Sequence, residues 1–199
     1  MLQLKTVTAY VGLGSNLGDG QAILLAAWEA LGRIEGIALG TLSSPYATEP
    51  VGMTSRHWFT NAVGRLQTCL EPSALLHALL TVEAGFGRRR TPGSSGYEDR
   101  SLDLDLLYHA THLVETAELV LPHPRIAERL FVLAPLAELA PELRDKRTGQ
   151  TVAEMVETLR VRLSAGGDTR QDIQRGNWRK APTSAGLADE NTAWGEKRL

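Results

Sequence analysis

The run Arg100-Ser101-Leu102-Asp103-Leu104-Asp105-Leu106-Leu107 is the stretch best suited to chemistry. Its alternation predicts a strand over 102–108, and residues two apart on a strand share a face. Asp103 and Asp105 then project together, while Leu102, Leu104 and Leu106 point into the opposite layer. Two carboxylates spaced about 7 Å along a strand repel each other unless a cation sits between them. Hard carboxylate oxygens suit Mg²⁺, which keeps several waters and completes its shell with substrate phosphates. From these residues alone, a solvated polar strand face is the plain alternative.

The preceding segment shifts that balance. Arg88, Arg89, Arg90 and Arg100 bracket Thr91-Pro92-Gly93-Ser94-Ser95-Gly96, which lacks apolar periodicity and reads as a loop. Guanidinium groups grip phosphates bidentately and neutralise their charge. An ordinary charged surface is the alternative for the arginines. Together with the carboxylate pair they favour phosphoryl chemistry on a nucleoside triphosphate.

Other side chains are weaker signals. Glu83 follows Leu76, Leu79 and Leu80 and precedes Phe86, so its carboxylate emerges beside an apolar helical stripe. A buried carboxylate needs hydrogen bonds or a charge partner; a helix-edge residue reaching solvent is the alternative. Phe59 and Asn61 share a strand face and, with Trp58, suit a flat heterocycle carrying donors and acceptors. Core packing and a turn-type hydrogen bond explain them equally well. His123 lies between two prolines and either donates to a phosphate or packs. Phe131 has Leu130, Leu133 and Leu136 for neighbours, so core packing is its default. His57, His77, His109 and His112 show no paired metal-ligand spacing, and no zinc site is expected. Gly14-Ser15-Asn16-Leu17-Gly18 has neither the P-loop nor the dinucleotide pattern and reads as a turn.

The elements that must position these residues follow from periodicity. Strands are expected over 4–13, 37–48, 59–68 and 102–108, with a short one at 119–121. Helices are expected over 21–34, from Pro72 to a stop at Gly87, and over 130–139 and 152–159. The order strand–helix–strand–strand–helix–strand is that of an α+β ferredoxin-like sandwich, an antiparallel sheet covered by helices.

The chain has 199 residues, 21 basic and 23 acidic, for a net charge of −2, so it is not a polyanion binder by bulk charge. With 43% hydrophobic residues it can bury a sizeable core. Its single cysteine, Cys69, excludes an intrachain disulfide. No apolar run approaches the roughly 18 residues of a membrane span, and no signal peptide is visible. A cytoplasmic monomer with neither nucleic-acid nor membrane partners is expected. Residues 1–160 read as the functional domain and 161–199 as a flexible tail. Docking through Trp178 and Trp194 is the rival for that tail.

Taken in order, these pieces resemble the 6-hydroxymethyl-7,8-dihydropterin pyrophosphokinases. The resemblance runs over about 6–145. It rests on Ala9-Tyr10-Val11-Gly12-Leu13-Gly14-Ser15-Asn16-Leu17-Gly18-Asp19, on Ser43 through Gly52, on Phe59-Thr60-Asn61-Ala62, on Arg100 through Asp105, and on the run from Pro122-His123 to Phe131. It implies transfer of a diphosphoryl group from ATP to the pterin hydroxymethyl oxygen, releasing AMP, with two Mg²⁺ ions on the ATP phosphates. It implies metal ligation by Asp103 and Asp105, and catalytic roles for Arg88, Arg90 and Arg100. ATP contacts are implied for Glu83, Arg88, Arg100, His123 and Arg129. Thr48, Phe59, Asn61 and Phe131 match the pterin pocket, the two phenylalanines sandwiching the ring. Tyr97-Glu98-Asp99 stands where the family usually has Trp-Gly-Pro. A pterin- or nucleotide-binding protein with weakened catalysis is the alternative that this acidic pair favours. An ordinary kinase releasing ADP is a third reading.

Overall fold

The structure is a computed structural model that describes residues 5–50, 57–87, 99–110, 112–166 and 171–179. Alternation along β1 (Val7–Ser15) sorts its two layers. Ala9, Val11 and Leu13 face one apolar cluster, and Tyr10 faces a second. Four helices fill these clusters. α1 (Gly20–Gly32) and α2 (Pro72–Gly85) bury Leu24, Leu31, Leu75 and Leu79 on the first side. α3 (Leu130–Leu139) and α4 (Val152–Ser164) bury Leu133, Leu136, Met155 and Leu159 on the second. The expected sandwich is present, with helices over both sheet faces.

The sheet is antiparallel throughout. β5 (Asp103–His109) pairs with β1, β1 with β4 (Phe59–Thr68), β4 with β3 (Tyr46–Thr48), and β3 with β8 (Ile173–Arg175). β2 (Ile37–Leu42) shares the edge of β4 with β3. The strand expected over 37–48 is therefore two strands. At the break, Ser43 N–H donates to Val63 O and the Ser43 hydroxyl accepts from Val63 N–H, so a side chain carries the ladder past Pro45, which has no N–H. β7 (Val120–Leu121) is the short strand expected near 119, and it pairs with β6 (Val114–Glu115), which the sequence did not reveal.

The expected tail needs correcting. α4 runs on to Ser164, and 171–179 return to the sheet. β8 hydrogen-bonds along β3, Ile173 is buried in the second cluster, and Trp178 Nε1–H donates to Ser43 O while its ring packs on the opposite cluster. The physical reason is the open edge of β3, whose backbone groups gain partners from an added strand. Trp178 thus fits the docking reading, and Trp194 lies outside the described residues. No described helix is long and apolar enough to cross a membrane.

Candidate active site

β1 supplies a floor without side chains. Gly12 lies opposite Asp105 and Gly14 opposite Asp103 in the β1–β5 register. Both glycines sit within the strand, Gly14 at a place the sequence read as the start of a turn. A Cβ at Gly14 would lie 3.0 Å from Asn61 Oδ1, so glycine keeps this floor low. Above it opens a cleft with about 790 Å³ of atom-free space, part of it open to solvent.

One end of the cleft is charged. Asp103 and Asp105 share a face as alternation requires, and Leu102, Leu104 and Leu106 enter the α1/α2 core. Arg100 Nη1 lies 3.2 Å from Asp103 Oδ1, and Arg129 Nη1 lies 3.3 Å from Asp105 Oδ2. Each arginine offsets the repulsion between the carboxylates while its own charge stays on the cleft wall. The other end is aromatic. Phe59 on β4 and Phe131 on α3 line it, and buried Asn61 donates from Nδ2 to buried Thr48 Oγ1 at 2.8 Å. The Arg129 guanidinium lies 5.7 Å from the centre of the Phe131 ring, which ties the two ends together.

A sequence model described as 7,8-dihydro-6-hydroxymethylpterin-pyrophosphokinase (HPPK) matches residues 10–141. The chain belongs to this family. The 2-amino-4-hydroxy-6-hydroxymethyldihydropteridine pyrophosphokinase of Methylorubrum extorquens is 42% identical over 151 residues, 76% of this chain and 92% of that one. The Bacillus subtilis protein of the same name is 38% identical over 140 residues, 70% of this chain and 82% of that one. A solved Plasmodium falciparum HPPK-DHPS superposes with a TM-score of 0.67 at 12% identity, over 86% of this chain and 47% of that one. At that identity the superposition speaks for the HPPK-like α+β fold alone.

The cleft gathers eight of the residues expected from sequence: Thr48, Phe59, Asn61, Arg100, Asp103, Asp105, Arg129 and Phe131. Arg88 and Arg90 lie outside the described residues, as do Tyr97 and Glu98. Glu83 is placed elsewhere. It is 2% exposed, and its Oε1 accepts from Leu104 N–H at 2.6 Å, so the carboxylate caps a backbone donor of β5 and does not line the cleft. His123 is anchored beside the charged end. Its backbone N–H donates to Leu107 O, and its Nδ1 accepts from Arg125 N–H at 3.2 Å. Burial lowers its pKa; Asp105 opposes this and Arg129 reinforces it, both more weakly. A neutral ring that accepts at Nδ1 carries its proton on Nε2, where it is a donor.

The turn after β1 does more than its composition suggested. Asn16 Nδ2 donates to Asp99 Oδ1 at 2.6 Å, and Asn16 Oδ1 accepts from Arg100 N–H at 2.7 Å. Asn16 thereby fixes the residue that carries the Arg100 guanidinium. Arg125 and Glu128 also line the cleft and were not anticipated. Their sequence signal is the charged run Arg125, Glu128, Arg129 just before an apolar helix.

Proposed function

We propose that this cleft holds ATP at its carboxylate–arginine end and the pterin between Phe59 and Phe131. The chain is a pyrophosphokinase of folate biosynthesis: it transfers a diphosphoryl group from ATP to 6-hydroxymethyl-7,8-dihydropterin and leaves AMP. The observation that supports this residue assignment best is the placement of Asp103 and Asp105 on one face, over a glycine floor, between two arginines.

The donor set fits Mg²⁺: two hard carboxylates from adjacent same-face positions, incomplete as a cage and open toward the space where phosphates would complete the shell. Asp103 and Asp105 would hold the metal, with two ions the proposed count. When bound it supplies charge neutralisation on the phosphate oxygens. Arg100 stands within reach of the same space, and its cationic group favours charge developing on the transferred group, while Arg129 is an ATP contact. His123 donates from Nε2 toward an anionic ligand. At the aromatic end, Phe59 and Phe131 supply stacking faces, and Asn61 and Thr48 supply polar edges for a flat heterocycle. Holding the hydroxymethyl group near the β-phosphate converts a two-body encounter into a positioned one. Arg88 and Arg90 are proposed as further phosphate partners.

The weakened-catalysis reading rested on Glu98 and Asp99. Asp99 directs Oδ1 at Asn16, where it helps to fix residue 100, and this removes part of that objection. The proposed setting is the cytoplasm, and the proposed active form is a monomer. Chromatography of the nucleotide product tests the assignment. AMP formed in step with pterin consumption is expected; ADP, or turnover independent of the pterin, contradicts it.

A further inference from the structure

α3 starts without a side-chain cap of its own. Its N-cap residue is Arg129, whose side chain makes no cap hydrogen bond, so the first helical N–H groups need acceptors from elsewhere. Gln171, 41 residues further along, supplies one: its Oε1 accepts from Leu130 N–H at 2.8 Å. The same amide also reaches two residues further back, where its Nε2 donates to Glu128 O at 2.8 Å. Gln171 is 9% exposed; its bond to Leu130 is buried and its bond to Glu128 part-buried. One side chain therefore grips the backbone on both sides of Arg129, immediately before Phe131. The neighbouring backbone grips the opposite wall. Asp172 O accepts from Glu49 N–H at 3.3 Å, and Ile173 pairs with Thr48.

We propose that Gln171 is a positioning residue for the turn bearing Arg129 and Phe131, and that 171–173 brace the two walls of the substrate cleft. This segment lies beyond residues 10–141, the part matched by the family. The inference rests on the reading of Arg129 as an ATP contact and Phe131 as a pterin contact. Without the amide, Leu130 N–H and Glu128 O turn to water, and the Phe131 ring and the Arg129 guanidinium lose their fixed approach to the ligands. The cost falls on binding of both substrates, because one turn carries a contact to each.

The test compares KM with kcat in the full-length protein. Gln171→Met keeps the bulk of the side chain and removes both hydrogen bonds. The KM values for ATP and for the pterin are expected to rise roughly tenfold, the worth of one or two hydrogen bonds. Turnover at saturation should stay within about threefold of wild type. A lowered melting temperature and active fraction with both KM values unchanged would mean a purely structural role and overturn the proposal. Should Gln171→Met fail to fold, Gln171→Glu retains the acceptor for Leu130 N–H and loses the donor to Glu128 O; it must raise both KM values too. Arg129→Ala and Phe131→Ala separate the two layers of the argument. If they leave KM at wild-type values, the site reading fails and the positioning role falls with it. If they raise KM and the Gln171 variants do not, the positioning role alone is refuted.

Discussion

Toward α1 and α2, β1 presents Ala9, Val11 and Leu13, none more than 2% exposed; toward α3 and α4 the same strand presents Tyr10, Gly12 and Gly14. The neighbouring strands follow suit. Leu104 and Leu106 of β5 go one way and Asp103 and Asp105 the other. On the first side the fit is closed: a Cβ at Gly64 would run into the Trp28 ring of α1. On the second, buried polar groups are paired one by one. Tyr108 donates to Asp145 Oδ2, Tyr46 donates to Glu138 Oε1, and where the α3 side reaches its end the pairing opens into the cleft. Packing density and ligand space thus come from alternate residues of the same strands, so substitutions one residue apart should separate stability from activity.

The largest expected break falls on the open side. Asp103→Ala or Asp105→Ala should lower turnover by roughly 10²–10³-fold, the scale for losing a group that stabilises transition-state charge. Both side chains are partly exposed, so melting should change little, since such pairs contribute about 0–1 kcal/mol. Steady-state kinetics beside thermal melting reads both. On the closed side the pattern inverts. Gly64→Ala should cost about 1–3 kcal/mol of stability through overpacking against Trp28, measured by urea unfolding, with turnover per folded molecule unchanged.

Gly14→Ala sharpens the comparison because the strand is the same and only the face differs. The added methyl displaces the Asn61 amide, so the KM for the pterin should rise roughly tenfold, the worth of about one hydrogen bond. Stability should stay close to wild type. Tyr108→Phe probes the polar pairing away from the cleft and should cost about 1–2 kcal/mol with kinetics unaffected. Burial and the Asp145 carboxylate push the Tyr108 hydroxyl well above its ordinary value of 10.0. The unfolded chain therefore loses this proton first, so the pairing stabilises fully below that pH and progressively less above it. Denaturation series at rising alkaline pH should show a shallower decline for Tyr108→Phe than for wild type.

Much of this was legible in the sequence because it is local. A period of two put Asp103 and Asp105 on one face, and the apolar spacing of Leu75, Leu79 and Val82 gave α2. Phe59–Thr68 and Leu130–Leu139 fall where their patterns predict. What escaped depends on pairings between distant residues. Gly14 looks like a turn residue until β5 and β4 are laid beside it. Glu83 gives no sign of its bond to Leu104 N–H until β5 is laid beside α2. Asn16 gains its purpose from residues 99 and 100, and Gln171 from 128 and 130. None of these leaves a local period, and β8 is too short to announce itself.

The claim that the open side of β5 receives ATP with its metal is tested most directly by calorimetry with a non-hydrolysable ATP analogue, titrated with and without Mg²⁺. For the wild-type protein, affinity should depend strongly on Mg²⁺, and in Asp103→Ala/Asp105→Ala that dependence should vanish. A double variant that keeps the wild-type Mg²⁺ dependence would contradict the account.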